Sequence, residues 1–140
     1  MKEKLNCILL IDDDETTNYV NSILIEKAEC AELTKSVTSG HAALDYLKSV
    51  DKDGNHPQPD LIFLDINMPI MSGWEFIEEY RNLLPEQKGK VLVWMLSTSN
   101  NPDDHERAMK LGSDGFMAKP LTISKLMDVV KKHFSNLFEG

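Results

Sequence analysis

Short apolar runs alternate with amphipathic segments about five times along the 140 residues of this chain. The apolar runs predict strands at 7–11, 32–37, 61–64, 91–96 and 116–118. The first, third and fourth are almost free of polar residues, as in strands that are buried on both faces. Strands that alternate with helices form a parallel sheet with right-handed crossovers and helices on both faces. The predicted fold class is therefore α/β, with a five-stranded, doubly wound (βα)5 parallel sheet in a flavodoxin-like three-layer sandwich.

The segments between the strands predict five helices with their own start signals. Three cover 15–28, 74–84 and 102–111. The other two begin after Ser39 and Thr122, since a hydroxyl can accept a hydrogen bond from a main-chain amide that the helix leaves unpaired. The residues expected on apolar helix faces are Val20, Ile23, Leu24 and Ala28, then Ala43, Leu44, Leu47 and Val50, and finally Ile123, Leu126, Met127, Val130, Phe134 and Leu137, while Trp94 and Met95 are expected in the core.

The composition narrows the classes of function. The formal net charge is −8, whereas a nucleic-acid-binding surface needs clustered Lys and Arg. The apolar run 8–11 is too short for a signal peptide or a membrane span. Cys7 and Cys30 are expected as free thiols in a cytoplasmic protein. We expect a single domain over 1–140, with a core at about 5–138 and no output domain.

Charged and hydroxyl side chains stand where four of the predicted strands end. Asp12 and Asp13 follow the first strand, Asp65 the third, Ser97 the fourth and Lys119 the fifth. Ligands of open parallel sheets bind beyond the carboxyl ends of the strands, so we expect these side chains to meet at one edge. Three carboxylates and one ammonium group at one edge favour the binding of phosphate together with a divalent cation.

The acidic cluster calls for a cation. Two like charges about 4 Å apart repel each other by roughly 4 kcal/mol at an effective dielectric of about 20, so the carboxylates need a positive ion or raised pKa values. Mg²⁺ suits oxygen ligands and commonly binds through a few carboxylates together with a substrate phosphate. A carboxylate can itself act as a nucleophile and form an acyl phosphate, and Asp65 is the predicted nucleophile. Ser97 could then donate a hydrogen bond to a phosphoryl oxygen.

Other interpretations of these signals stay open at this point. An Asp run after a strand often only caps the following helix, and a Lys-Pro pair is a weak turn signal. An enzymatic alternative is a phosphatase of the haloacid-dehalogenase type, with Asp12 as nucleophile and Asp14 as acid/base. That family needs further acidic residues after a later strand, whereas 121–140 predict one helix, and the alternative leaves Asp65 unexplained. A nucleotide-binding module is a third class, but a triple Asp run would repel a phosphate.

Taken together, these residues resemble the receiver domain of bacterial two-component response regulators, the CheY-like family, over about residues 5–138. The stretch 65–73 is similar to the loop that follows the phosphoacceptor of that family. The matching positions are Asp12, Asp13, Asp65, Pro69, Gly73, Ser97, Phe116, Lys119 and Pro120. The chain departs from the family pattern at Thr98, where a smaller residue is preferred, and at Phe116, where Tyr is commoner.

The resemblance implies a specific site. Asp65 accepts the phosphoryl group, and Mg²⁺ is bound by Asp13, Asp65 and the main-chain carbonyl of Asn67, with Asp12 acting largely through water. A cis peptide is implied between Lys119 and Pro120, which is accessible because X-Pro bonds have only a small trans preference.

The resemblance also implies a switch and partners. The Ser97 hydroxyl turns toward the phosphoryl group and the Phe116 ring rotates inward, which changes the surface of the fourth predicted helix, the fifth strand and the last helix. The implied phosphoryl donor is a sensor histidine kinase or a histidine phosphotransfer protein. The expected output is binding to a downstream protein, and the same surface could support a homodimer. Neither nucleic acid nor a membrane is expected as a partner.

Overall fold

The computed structural model describes residues 4–88, 92–98 and 101–134. In this part of the chain five parallel strands form one sheet in the order β2-β1-β3-β4-β5. The strands are β1 (Leu5–Ile11), β2 (Ala31–Val37), β3 (Leu61–Asp65), β4 (Leu92–Ser97) and β5 (Gly115–Ala118). The helices are α1 (Glu15–Ala28), α2 (Gly40–Lys48), α3 (Gly73–Arg81), α4 (Pro85–Lys88), α5 (Pro102–Lys110) and α6 (Ile123–His133). The predicted α/β fold class is confirmed, and the strand order is that of flavodoxin-like sheets.

Two apolar cores lie on opposite faces of the sheet. Successive side chains of a strand point to opposite faces, so Leu9 of β1 packs with Phe76 of α3 in one core. Leu10 packs with Ile25 of α1 and Leu126 of α6 in the other. Each fully buried side chain of this size stabilises the fold by roughly 1.5–3 kcal/mol. Helices on both faces of one sheet make the predicted three-layer sandwich.

Both predicted N-caps are confirmed. The main-chain amide of Ala42 donates to the hydroxyl of Ser39 at 3.0 Å, and that of Lys125 donates to Thr122 at 3.1 Å. Each bond satisfies one of the amides that a helix start leaves unpaired, which is typically worth about 1 kcal/mol. None of the helices in the described residues is both long and apolar enough to cross a membrane.

The predicted apolar face of α1 is confirmed in part: Leu24 and Ala28 are partly buried and pack against the core that contains Ile25, whereas Val20 is not part of it. Val20 is 49% exposed, and the buried residues of the helix are Asn18, Asn21 and Ile25. These three positions recur at helical spacing, but two of them carry amides that hydropathy assigns to solvent. The helix therefore turns a partly polar face toward the sheet, because an amide can be buried where it finds hydrogen-bond partners.

Several further boundaries differ from the predicted ones. Helix α2 ends at Lys48, which leaves Val50 in the following loop and 58% exposed. Helix α3 ends at Arg81, and the added one-turn helix α4 begins at a proline that could not continue α3. Ile123 is 40% exposed at the start of α6. Val91 and Leu137 lie outside the described residues.

The prediction that Trp94 and Met95 are core residues is confirmed for Met95 alone. Met95 is completely buried, whereas Trp94 is half-buried. The indole of Trp94 covers Gly115 of the neighbouring strand, where any side chain would clash with the ring. Its Nε1–H donates to Nε2 of His133 at 3.1 Å. Trp94 therefore joins the end of α6 to the sheet, with its polar edge outside the core.

Candidate functional site

Three of the predicted site residues lie at the carboxyl edge of the sheet. Asp12 directly follows β1, and Asp65 and Ser97 are the last residues of β3 and β4. All three are buried, with exposed fractions of 5%, 6% and 1%. Strands β1 and β3 are direct neighbours, as are β3 and β4, so the parallel register brings the three strand ends together. Burial at this edge removes the two carboxylates from most of the water that would otherwise screen their charges.

Lys119 connects the two buried carboxylates. Its Nζ lies 2.7 Å from Oδ2 of Asp12 and 3.1 Å from Oδ1 of Asp65. Its main-chain amide donates to the carbonyl of Ser97 at 2.7 Å, which fixes where the side chain leaves the sheet. The peptide between Lys119 and Pro120 is cis, as predicted. The ammonium group therefore lies between two carboxylates that would otherwise repel each other.

Asp12, Asp13 and Asp65 form a group that could hold a metal ion. Each offers a carboxylate oxygen, and these oxygens all lie within 4.8 Å of one another. Three carboxylates and one ammonium group carry a net charge of about −2 when all are ionised, so a divalent cation would neutralise them. Hard oxygen donors of this kind fit Mg²⁺. Asn67 lies exposed in the loop two residues after Asp65, and the role of its carbonyl stays a prediction.

The pKa values of Asp65 and Lys119 are both raised, but for different reasons. Burial, together with the negative charge of Asp12, raises the pKa of Asp65 to about 6, although Lys119 acts in the opposite direction. Burial alone would lower the pKa of Lys119, but its hydrogen bonds and ion pairs with Asp12 and Asp65 outweigh this, and its pKa is raised. Lys119 is therefore charged at neutral pH. Without a cation, Asp65 is an unfavourable place for a negative charge.

Asp14 is the N-cap residue of α1. Its side chain caps α1 by accepting from the main-chain amides of Thr16 at 2.9 Å and Thr17 at 3.4 Å. The amide of Thr16, followed by the side-chain and main-chain bonds of Thr17, lowers the pKa of Asp14. An acid/base residue would need to hold a proton near neutral pH. The phosphatase alternative, which gave Asp14 that role, therefore has no support in the site.

The loop after Asp65 is folded tightly against the end of β3. The main-chain amide of Gly73 donates to the carbonyl of Ile66 at 2.8 Å. A Cβ atom at Gly73 would lie 2.6 Å from the carbonyl oxygen of Asp65, and neither backbone can easily move. Pro69 lies exposed in the middle of this loop. The predicted turn residue Gly73 thus lets the start of α3 approach the candidate acceptor.

Two ring contacts connect α5 with its neighbours. Phe116 of β5 is half-buried and stacks on His105 of α5, with 5.3 Å between ring centroids and 10° between planes. On another side, the guanidinium of Arg107 lies 4.5 Å from the ring centroid of Trp74 in the first turn of α3. The predicted switch residue Phe116 thus packs directly against α5. The partners His105, Arg107 and Trp74 were not predicted, because such contacts depend on the assembled fold.

The sequence analysis also missed Asn18. The hydropathy of α1 does not single out this residue, yet its side-chain amide donates to the carbonyl of Asp12 at 2.9 Å. A usable signal was present, since Asn18 follows the cap Asp14 by one helical turn and so faces the same strand ends. Polar residues at that spacing from a cap can reach the main chain that precedes the helix.

Comparisons with known proteins agree with this geometry. The family model of the response regulator receiver domain matches residues 8–131. The nitrate/nitrite response regulator NarL of Escherichia coli is 32% identical over 120 residues, which are 86% of this chain and 50% of that protein. The chain thus spans about half the length of the first curated relatives that it matches.

Solved structures show the same similarity. A two-component response regulator from Cytophaga hutchinsonii has a TM-score of 0.83 and 35% identity, covering 95% of this chain and 99% of that one. A response regulator receiver protein from Dyadobacter fermentans has a TM-score of 0.77 and 25% identity, covering 96% and 98%. Together with the family model, these similarities establish that the chain belongs to the response regulator receiver domain family of two-component systems.

Proposed function

We propose that Asp65 is the phosphoacceptor of this chain. The observation that carries the proposal is the placement of its carboxylate, which is buried at the end of β3, 3.1 Å from the Lys119 ammonium group and beside two further carboxylates. The carboxylate oxygen attacks the phosphorus atom of a phosphohistidine on a sensor histidine kinase or a histidine phosphotransfer protein. A new O–P bond forms, the N–P bond breaks, and the imidazole leaves with its electron pair and takes up a proton.

The residues around Asp65 have separate roles in this transfer. Asp13 and Asp65, with the main-chain carbonyl of Asn67, would hold Mg²⁺, and Asp12 would act on it largely through water. A bound Mg²⁺ neutralises the carboxylates and the incoming phosphoryl oxygens. Lys119 stabilises negative charge on those oxygens from its fixed place beside Asp65. Phosphoryl transfer depends mostly on such positioning and charge stabilisation, so no further catalytic base is required.

The phosphoryl group then changes the surface that a downstream protein reads. The Ser97 hydroxyl donates to a phosphoryl oxygen, and the Phe116 ring turns inward in response. Because Phe116 stacks on His105, its rotation removes a contact of α5 and alters the surface formed by α5, β5 and α6. This is a two-state element biased by a local change of charge. A homodimer through the same surface is part of the proposal.

The docking site of the phosphoryl donor is inferred from a groove beside the acceptor. This groove has a volume of about 420 Å³ and lies between α1 and the β5–α6 loop. Its surface is mainly apolar, with Val20 and Leu121 among the residues that line it, and Lys119 lies at it as well. Val20→Glu should slow transfer from a phosphohistidine donor protein but leave reaction with a small phosphodonor unchanged. Tyr19→Glu is the control, because Tyr19 is 67% exposed on the same helix and is not among the residues that line this groove. Equal effects of the two changes would contradict this docking site.

The test of the proposed function is intact mass after incubation with Mg²⁺ and acetyl phosphate. The wild type should gain one phosphoryl group in a reaction that requires Mg²⁺, and Asp65→Asn should gain none. Asp12→Asn should react more slowly but at the same residue. An adduct that requires Asp12 and persists in Asp65→Asn would contradict the proposal and favour the phosphatase alternative, in which Asp12 is the nucleophile.

A further inference from the structure

A buried asparagine joins the ends of two strands at the site. Asn18 lies in the first half of α1 and is 4% exposed. Its Nδ2 group donates to the carbonyl oxygen of Asp12 at 2.9 Å and to that of Val37 at 3.1 Å. Asp12 directly follows β1, and Val37 is the last residue of β2. A single side chain therefore connects both strands at the point where the acidic cluster begins.

The other end of the same amide is unpaired. Among the buried side-chain nitrogen and oxygen atoms of the described residues, Oδ1 of Asn18 is the one without a hydrogen-bond partner. A buried acceptor that has lost water and gained no donor is destabilising. An apolar side chain of similar size would avoid this cost, so packing alone does not explain an amide at this position. The two bonds that Nδ2 donates are what the amide provides.

Asn18 holds Asp12, whose carboxylate belongs to the acidic cluster of the site. The main-chain amide of Asp12 donates to the carbonyl of Val37 at 3.2 Å. Its carboxylate accepts from the amide of Asp14 at 3.0 Å through Oδ1 and from Lys119 at 2.7 Å through Oδ2. The bond from Asn18 to the carbonyl of Asp12 completes this set, so that both main-chain polar groups and both carboxylate oxygens are held.

We propose that Asn18 is a positioning residue for the metal and acceptor site, because it fixes the main chain of Asp12 and so keeps its carboxylate aligned with Asp13, Asp65 and Lys119. The inference rests on the proposed function. Asn18 acts through Asp12, much as hydrogen-bonded neighbours orient the groups that surround a bound metal. Without it, the Asp12 carbonyl loses its donor and the carboxylate gains freedom to rotate away from the cluster.

The test compares Mg²⁺ binding with folding stability in the full chain. The dissociation constant for Mg²⁺ is measured by isothermal titration calorimetry, and the free energy of unfolding is measured with urea in EDTA. Asn18→Leu should raise the dissociation constant about 10-fold or more, as loss of a ligand-orienting neighbour typically does. The free energy of unfolding should change little, since removal of the unpaired acceptor Oδ1 offsets the loss of a donor to the Asp12 carbonyl.

The matched control is Ile25→Ala. Ile25 is fully buried on the same face of α1, two turns further along, in the core under the sheet. Its truncation should lower the free energy of unfolding through a cavity, yet leave the dissociation constant for Mg²⁺ within about twofold of wild type, because Asp12 keeps its bonds. A weakening of Mg²⁺ binding as large as that in Asn18→Leu would mean that any loosening of α1 suffices, and would overturn the inference.

A second variant and the wild type separate the remaining outcomes. Asn18→Ala also lacks a donor at this position and decides the question if Asn18→Leu does not fold. If a folded variant binds Mg²⁺ with wild-type affinity, the inference about Asn18 is overturned, while the proposed function stands. A wild-type chain that binds no Mg²⁺ overturns the proposed function, and this inference with it.

Discussion

Lys119 has two effects that oppose each other within one site. Its ammonium group donates to Asp12 at 2.7 Å and to Asp65 at 3.1 Å, and so offsets part of their repulsion. In that position it stabilises negative charge on an incoming phosphoryl group. The same positive charge repels a cation that the three carboxylates would otherwise attract. A single substitution should therefore change metal binding and phosphoryl transfer in opposite directions.

Lys119→Met, which keeps most of the side-chain length and removes the charge, tests this. We expect Mg²⁺ to bind several-fold more tightly, because one repulsive charge is gone. Phosphorylation by acetyl phosphate at saturating Mg²⁺ should slow by about 100-fold, as happens when one preorganised donor is lost. Calorimetry and intact mass measure the two effects. Lys119→Arg keeps the charge and should retain near wild-type Mg²⁺ affinity. Weaker Mg²⁺ binding in Lys119→Met would contradict the argument.

Among the elements, α5 is placed to report the state of the site. Its His105 stacks on Phe116 of β5, and its Arg107 lies over the ring of Trp74, in the first turn of α3 beside the acceptor loop. The cation–π contact between Arg107 and Trp74 contributes about 0.5–2 kcal/mol, so it can be lost without unfolding the helix. A movement of α5 should therefore change the surroundings of Trp74.

Trp74 fluorescence can follow this movement. In a Trp94→Phe background, beryllofluoride with Mg²⁺, a mimic of the phosphoryl group, should change the Trp74 emission. Ser97→Ala should still bind the mimic but lose most of the emission change, because the hydroxyl that couples the site to Phe116 is absent. Arg107→Leu is the control that assigns the signal to contact with α5. An unchanged signal in Ser97→Ala would mean that Trp74 senses only the acceptor loop.

The elements that were predictable from sequence are those in which burial and apolarity coincide. Strands β1, β3 and β4 are almost entirely apolar, and the placement of the residues at their ends follows from the parallel order. Ser39 and Thr122 were predictable as caps because capping depends on neighbours within one turn. The candidate site was predictable as well, because parallel strands all end at the same edge of the sheet, and the site residues directly follow or end these strands.

What sequence could not provide depends on groups that meet only in the folded chain. Asn18 is buried because two main-chain carbonyls, one of them from β2, accept its amide hydrogens. Val20 is exposed because α1 turns Asn18 and Asn21 toward the sheet in its place. The stacking of His105 on Phe116 joins α5 to β5 across a turn whose course hydropathy does not predict. Hydropathy does not reveal polar burial and ring contacts of this kind, even where the buried positions recur at helical spacing.

For the whole molecule, the acidic cluster that the proposed function needs lowers the stability of the fold when no cation is bound. Asp65 has an ordinary pKa of 3.8 in an unfolded chain, but burial and the charge of Asp12 raise its pKa to about 6 in the folded one. Between these values the folded protein binds more protons than the unfolded chain, so stability falls as pH rises. The contribution is fully present below about pH 4 and is lost as pH passes through about 6. A bound cation reverses the effect by stabilising the ionised form.

Urea unfolding in EDTA at pH 5 and pH 7.5 measures this contribution. Asp65→Asn keeps an oxygen that can accept from Lys119 but carries no charge, so this variant should be more stable than wild type at pH 7.5, with a smaller difference at pH 5. Mg²⁺ should stabilise the wild type more at pH 7.5 than at pH 5, where protons compete for the carboxylates, in proportion to the logarithm of its concentration over the dissociation constant. Asp14→Asn is the control, because Asn also caps helices and the pKa of Asp14 is lowered instead. If Asp65→Asn were no more stable than the wild type at pH 7.5, the ionised Asp65 carboxylate would not destabilise the folded chain, and its raised pKa would not explain how stability changes with pH.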